Sequence, residues 1–214
     1  MQVTIEISFM ESVLLTLFNI ATIIKWVSET DEIALENKEY INQISYSDSF
    51  YQTIPYAKGI SAISQNFLII LCCSFLDEFE KEFTPFKFPE YSEAIIRVKK
   101  ITKPAINRIK KWKGLKNHRN NIISHNLRVN GVSIFECKEP IEYNIPSTNE
   151  EFKLLADLIF LVSQNIAPHF NEEVESIKFN PPIKDYFIVS SEPINCKFEF
   201  EAINDEIQKI KNST

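Results

Sequence analysis

Arginine, asparagine and histidine lie close together in one short stretch, R-N-N-I-I-S-H, which begins at Arg119 and ends at His125. Histidine ionises near neutral pH and can act as a general base or acid. Arginine keeps its charge, and its planar fork can pair with two phosphoryl oxygens. The amide of Asn120 can orient either group. Together these side chains supply what RNA cleavage needs without a metal: a base for the 2′-hydroxyl proton and a donor for the phosphoryl oxygens.

The stretch lies in the only strongly basic segment of an acidic protein. Residues 97–128 contain eleven Lys/Arg and no Asp or Glu, although the whole chain has a formal net charge of −6. A concentrated basic stripe is typical of a polyanion-binding site. We expect the RNA backbone to be held by Lys113, Lys116, His118 and Arg128. The charge pattern leaves a second interpretation open, a lysine-rich face that docks on an acidic partner or on the chain's own acids.

Scarce glycine excludes two common nucleotide-binding loops. The chain has three glycines, and both the Walker A loop and the dinucleotide motif G-x-G-x-x-G need several close together. The four cysteines form no C-x-x-C pair, and Cys72 and Cys73 lie in an apolar run where a free thiol acts as a small hydrophobe. We therefore expect no metal, no cofactor and a reducing cytoplasm.

Apolar runs in the sequence predict buried helices and no membrane span. The longest strongly apolar run, residues 67–76, is shorter than the roughly 20 residues that cross a bilayer. The first residues, M-Q-V-T-I-E-I-S-F-M-E, lack the basic start of a signal peptide. The expected protein is soluble and cytoplasmic.

Hydrophobic spacing predicts a helical N-terminal half. Apolar residues recur at intervals of three and four in 9–27, more weakly in 31–45, strongly from 57 to 82, and again in 91–101. Prolines in the segment 84–89 end the long third helix. Its predicted core face comprises Ile60, Ile63, Phe67, Ile70, Leu71, Ser74 and Phe75.

The next predicted helix carries the motif. Thr102 has the character of an N-cap and Pro104 suits a first turn, so we expect a helix over residues 103–126. At 100° per residue, Arg119 and His125 then lie about 120° apart on one broad face of that helix. Such a separation makes a complete site from one copy less favourable than a site shared by two.

The C-terminal half mixes helix and strand. Residues 129–137 resemble a turn and a short strand. Ser147 and Glu150 have the spacing of a capping box, and a strongly periodic helix follows to residue 166. Alternation in 194–200 predicts a half-buried strand, which we expect to pair with 186–189. The fold class is therefore mainly α, with a small β accessory in the C-terminal part.

The motif R-N-N-I-I-S-H resembles the R-x(4–6)-H motif of the HEPN superfamily, in which a polar residue often follows the arginine. The resemblance implies an antiparallel bundle of four to five helices over residues 1–178, with 179–214 as a small β/α extension packed on it. It implies a homodimer with one composite site, in which Arg119, Asn120 and His125 form the catalytic set.

The resemblance also implies metal-independent endoribonuclease activity that leaves a cyclic phosphate. It implies a toxin–antitoxin, phage-defence or RNA-processing setting, with an antitoxin or defence protein as a possible partner. One branch of the family has a tyrosine two residues after the histidine, which a partner antitoxin nucleotidylates. This chain has Leu127 there, so the resemblance does not extend to that control.

Simpler interpretations of the same residues stay open. Arg119 can be a helix-surface cation paired with an acid, and His125 can be a histidine favoured by a helix C-terminus. The acids from Asp77 to Glu82 are expected to form a solvated face. Two other functions remain, a catalytically silent HEPN-like module that binds nucleic acid or a partner protein through the 97–128 face, and a helical adaptor without a nucleic-acid role.

Overall fold

The structure is a computed structural model that describes residues 8–39, 56–120, 128–129, 132–133 and 143–179, without the side chains of 56–58, 128–129, 132–133 and 178–179. The chain divides into two compact units, Met1–Asn180 and Pro181–Thr214, and the second lies outside the described residues. The protein is mainly helical, as predicted. The described α-helices are α1 (Phe9–Glu36), α2 (Tyr56–Asp77), α3 (Ser92–Ile109), α4 (Leu115–His118), α5 (Asn149–Ile166) and α6 (Asn171–Phe179).

Helix α1 is longer than the sequence predicts. Ser8 caps its N-terminus by accepting a hydrogen bond from the Glu11 backbone N–H, and the Glu11 side chain accepts one in return from the Ser8 N–H. The helix continues without a break to Glu36, so the predicted boundary between 9–27 and a second helix from 31 is wrong. The cause is that its buried stripe also continues, through Asp31 and Ala34.

Helix α2 forms where predicted, but of its predicted core face only Phe75 is fully buried. A π-helical turn, Glu78–Glu82, extends it, and the chain leaves the helix at Phe83. Ile63 and Phe67, placed in the predicted core face, are 72% and 43% exposed. The helix is apolar on most of its circumference, so spacing alone did not show which side packs on α1. Its buried apolar side chains are Leu68, Ile69, Cys72, Cys73, Phe75 and Leu76.

One core joins these helices. Helix α1 packs on α2, α5 and α6, and α3 packs on α5. The apolar repeat predicted for α5 is confirmed, since Phe152, Leu155, Ile159, Val162 and Ile166 are all buried. Cys72 and Cys73 are free, buried thiols, as expected of small hydrophobes.

Two predicted caps are wrong. Thr148, and not Ser147, caps α5 by accepting from the Glu151 N–H, while Ser147 donates to the Glu151 carboxylate. The sequence S-T-N-E-E offers two neighbouring candidates for the N-cap, and the helix uses the second. Thr102 is also no cap, because it is buried inside α3 and its hydroxyl donates to the Val98 carbonyl at 2.8 Å. Helix α3 therefore passes through Pro104 unbroken.

A small β ladder follows the motif. Strands β1 (Arg128–Val129) and β2 (Val132–Ser133) pair antiparallel, with Val129 opposite Val132. The predicted β accessory, strands 186–189 and 194–200, lies outside the described residues. So does the end of the predicted helix 31–45, and the boundary expected between residues 178 and 179 stays a prediction.

Two described segments are long and apolar enough to cross a membrane, Phe9–Glu36 and Gly59–Glu82. Both contribute buried side chains to the core described above. Length and composition alone do not separate a core helix from a membrane span.

Candidate functional site

The motif does not lie on one long helix. The predicted helix over 103–126 is wrong, because α3 ends at Ile109 and a turn over 110–114 separates it from α4. Helix α4 is short, and Arg119 and Asn120 follow in a π-helical turn. His125 lies outside the described residues, so its angle from Arg119 stays a prediction.

Gly114 explains why the chain turns before α4. Its N–H donates to the Asn144 carbonyl at 2.8 Å, and the Lys113 N–H donates to the Asn144 side chain at 3.0 Å. A Cβ atom at position 114 would lie 2.7 Å from the Asn144 backbone nitrogen, closer than real Cβ contacts. The close approach needs glycine. It ties the start of α4 to the segment that leads into α5.

Asp77 is the centre of a cluster of charges at the end of α2. Its Oδ1 lies 3.0 Å from Lys81 Nζ and 3.2 Å from Lys116 Nζ, and its Oδ2 lies 3.1 Å from Arg119 Nη1. One carboxylate thus joins α2 to α4 and the motif. Three cations surround one anion, so the cluster keeps a formal charge of +2.

The pKa of Asp77 reports this arrangement. Partial burial of the carboxyl taken alone raises the pKa, but hydrogen bonds from Lys81, Arg119 and Lys116 outweigh burial and lower the pKa to about 2. Asp77 is therefore ionised throughout the neutral range. The carboxylate therefore stays paired with Arg119 at neutral pH.

The guanidinium of Arg119 is held on two sides. Besides Asp77, it contacts the next residue, because its Nε donates to Asn120 Oδ1 at 3.1 Å. The Arg119 side chain remains 24% exposed, so a ligand in solution can reach it. The ion pair that the sequence left as an alternative for Arg119 is present. Asn120 thus contacts the guanidinium, and its orienting role in catalysis stays a prediction.

A basic cavity lies beside this cluster. It has a volume of about 150 Å³ and is lined by Lys110, Lys113 and Lys116, by one acid, Glu80, and by apolar side chains that include Trp112. Trp112 is buried, and the guanidinium of Arg108 lies 4.1 Å from the centre of its ring. Three lysines around one concave surface favour binding of a phosphate group. Two of them, Lys113 and Lys116, are among the predicted RNA contacts.

The acids at the end of α2 do not form the solvated face that the sequence predicts. Asp77 pairs with Lys116 and Arg119, and Glu80 Oε1 lies 2.6 Å from Lys110 Nζ. Both acids thus face the basic segment, because α2 and its π-helical turn pack beside the turn over 110–114. Part of the basic stripe is therefore neutralised within the protein.

His118 is a packed side chain. Its Nε2 lies 3.1 Å from Asn66 Oδ1, and its ring meets the Tyr143 ring edge-on at 5.2 Å between centroids. Burial lowers its pKa below the usual value, so the ring is neutral at pH 7. Among the described residues its Nδ1 has no hydrogen-bond partner. The contacts tie α4 to α2, and a phosphate contact for His118 stays a prediction.

The thiol next to the cluster is a poor nucleophile. Cys73 is buried, and desolvation raises its pKa even though Arg119 and Lys116 act in the opposite direction. Burial likewise raises the pKa of Cys72. Neither cysteine is therefore a candidate for covalent chemistry.

The structure brings some predicted site residues together and leaves others unplaced. Lys116 and Arg119 meet at Asp77, Asn120 contacts Arg119, and Lys113 lines the adjacent cavity. Arg128 is described only as backbone in β1, and His125 lies outside the described residues. Sequence reasoning missed Asp77 and Lys81 as members of the cluster. The sequence did contain a signal for their ion pair, since a separation of four residues on a helix places both side chains on one face.

No group of three or more His, Cys, Asp or Glu side chains that could hold a metal occurs in the part of the chain that the structure describes. Comparison of the chain with protein-family models, with curated proteins and with solved structures finds no match.

Proposed function

We propose that the protein is a metal-independent endoribonuclease of HEPN type. The observation that best supports the proposal is the placement of Arg119, fixed by Asp77 and Asn120 beside a lysine-lined cavity. A preoriented guanidinium loses little freedom when it pairs with a phosphoryl group, which favours stabilisation of developing charge.

Each residue of the motif has a role in this proposal. Arg119 stabilises negative charge on the phosphoryl oxygens, and Asn120 orients the guanidinium through Nε. His125 takes the proton from the 2′-hydroxyl or returns one to the leaving oxygen. Lys113, Lys116 and Arg128 hold the RNA backbone by charge. Asp77 is a positioning residue, because it acts through Arg119 and does not itself contact the substrate.

The ion pair of Arg119 does not prevent phosphate binding. A carboxylate close to an incoming phosphate repels it, but Asp77 is surrounded by Lys81, Lys116 and Arg119. The resulting local charge of +2 leaves an attractive potential for a polyanion. The cavity lysines add to it, although Lys110 is shared with Glu80.

The remaining parts of the proposal rest on the resemblance of the motif to that of the HEPN superfamily. The active form is a homodimer in which two copies of the motif face each other to form one site. The setting is a cytoplasmic toxin or phage-defence system, with an antitoxin or defence protein as a further partner. No metal or cofactor takes part in the proposed reaction.

Product chemistry tests the reaction class. A single-stranded RNA incubated with the protein in excess EDTA should be cut to fragments that end in a 2′,3′-cyclic phosphate. A substrate that carries a 2′-deoxy sugar at the cleavage position should stay intact, because the attacking oxygen is missing. Cleavage that requires added divalent metal, or that proceeds on the deoxy substrate, would contradict the proposal.

The second candidate is a catalytically silent module of the same type. Its supporting observation is the ion pair itself, since a structural Arg119–Asp77 contact needs no substrate. This candidate predicts RNA retention that weakens steeply with salt, and no cleavage products. A helical adaptor without a nucleic-acid role predicts neither retention nor cleavage.

A further inference from the structure

A second cavity, away from the motif, lies between the C-terminal half of α1 and the start of α5. Its volume is about 310 Å³, within the size range of small-molecule sites. Its charged lining is mostly acidic, and Leu35 and Phe152 contribute apolar side chains. The charged residues that line it are Asp31, Glu32, Glu36, Glu150 and Lys153.

Asp31 is the key residue of this cavity, because it is a buried carboxylate without adequate hydrogen-bond partners. It is 5% exposed, and its Oδ1 has no hydrogen-bond partner among the described residues. Its Oδ2 lies 3.5 Å from Gln65 Nε2, at the outer limit of a hydrogen bond. A buried acid in this state costs free energy unless a cation or a donor reaches it.

Gln65 does not supply the hydrogen bonds that Asp31 lacks. Its Nε2 also lies 3.0 Å from Ser61 Oγ and 3.0 Å from Asn149 Oδ1. An amide nitrogen has two hydrogens, and the two shorter contacts use both. Turning the amide over would place its oxygen against two acceptors, the Asp31 carboxylate and Asn149 Oδ1, so the present orientation is the better one. Asp31 therefore lacks a full hydrogen bond at either oxygen.

The other charges around the cavity leave it negative. Lys153 Nζ lies 2.7 Å from Glu32 Oε1, so the one basic residue in the lining is already paired with one of the acids. Asp31, Glu36 and Glu150 remain, a formal excess of three negative charges. The described residues contain no cluster with the donor set of a metal site. The lining instead suits an elongated cation with ammonium groups and an alkyl stem.

We propose that this cavity binds a small linear polyamine, with one ammonium group at Asp31 and another near Glu36 or Glu150. Phe152 and Leu35 contact the alkyl stem. The site is independent of the proposed ribonuclease centre, since it shares no residue with the cluster around Asp77.

Titration calorimetry and thermal unfolding of the full chain test the site, with spermidine as the probe, without RNA and at constant ionic strength. Spermidine should bind saturably and raise the Tm. Butane-1,4-diol, a neutral compound, should do neither. A magnesium salt at the same ionic strength should not reproduce the effect. Failure of spermidine to bind, or equal stabilisation by magnesium, would overturn the proposal.

Three variants locate the site. Asp31→Asn should weaken binding by about thirtyfold or more, the loss typical of removing one partner of a buried charge pair. Glu150→Gln removes an exposed acid at the rim, so the fold is preserved and binding should weaken about threefold. Glu93→Gln, an exposed acid on α3, removes the same charge and should leave affinity unchanged. Equal affinity in all three variants, or an equal loss in all three, would overturn the site.

The free protein supplies one more test. Because Asp31 lacks partners, Asp31→Asn should have a Tm equal to or above that of the unmodified protein when no amine is present. A markedly lower Tm would show that the carboxylate is already satisfied in the free protein, and the proposal would then fail.

Discussion

At the residue scale, the contacts of Arg119 explain how an acid can stand beside an arginine that we propose to bind phosphate. The negative charge of Asp77 weakens the proposed attraction of RNA to this site. Asp77 nevertheless fixes the position of the guanidinium and joins α2 to α4. Hydrogen bonds to charged groups contribute about 1.5–3 kcal/mol each when shielded and less when solvated. Arg119 and Asp77 are each about three-quarters buried, which places their pair between these limits.

Asp77→Asn should separate positioning from charge. The amide keeps the size of the carboxylate but loses the ion pairs, so we expect the free energy of unfolding to fall by about 1–2 kcal/mol. RNA cleavage should fall at least tenfold while RNA binding is kept or strengthened. Glu82→Gln is the matched control, because Glu82 pairs with Lys87 and not with the basic segment. Unchanged cleavage in Asp77→Asn would contradict the positioning role.

His118 gives a pH prediction with a definite sign. Burial lowers its pKa in the folded protein, so on acidification the unfolded chain takes up a proton at this position before the folded chain does. Stability is therefore lost as pH falls through the ordinary histidine pKa, about 6.5. His118→Asn should show a smaller drop in urea midpoint between pH 7.5 and pH 5.5. An equal drop in both proteins would show that His118 is not the group responsible.

At the element scale, the sequence predicted helices better than it predicted their ends and faces. The buried face of α5 was predicted correctly because its apolar residues Phe152, Leu155, Ile159, Val162 and Ile166 recur at intervals of three and four. In α2 the apolar residues surround the helix, so only packing on α1 decides that Ile63 is exposed. The break before α4 depends on the approach of Gly114 to Asn144, a contact between residues 30 positions apart. Local patterns do not contain such contacts.

Gly114→Ala should disturb the motif through the backbone. The new Cβ would meet the Asn144 backbone at 2.7 Å, so the turn must shift and carry α4 with it. We expect a loss of about 1–3 kcal/mol in unfolding free energy and a loss of cleavage. Gly59→Ala is the matched control, because nothing lies within 4 Å of its added Cβ. That variant should gain about 0.4–1 kcal/mol. Similar effects of both substitutions would contradict the close approach at Gly114.

At the scale of the whole molecule, the basic segment (residues 97–128) both forms ion pairs within the protein and lines a cavity. Its contacts with Asp77 and Glu80 hold the fold together, and its lysines line a cavity open to an anion. Charge asymmetry in the sequence indicated a polyanion site but did not show how much of the charge is paired internally. The mainly helical class was predictable from spacing, whereas the Asp77 cluster depends on the packing of α2 beside α4.

A shared active site predicts complementation between two inactive variants. Arg119→Ala and His125→Ala, mixed after brief unfolding and refolding together, should regain a measurable fraction of activity if one site draws on two copies. Each variant refolded alone should stay inactive. A mixture that remains inactive although size measurements show mixed dimers would contradict the composite site.

The central claim is that Arg119 and His125 cleave RNA without a metal. The direct measurement is the initial rate of RNA cleavage in EDTA for His125→Ala and Arg119→Ala, beside His169→Ala and Arg97→Ala as controls matched in residue type. We predict losses of at least a hundredfold in the first two variants. The controls should stay within about threefold of the unmodified protein. Full cleavage by His125→Ala, or an equal loss in His169→Ala, would contradict the account.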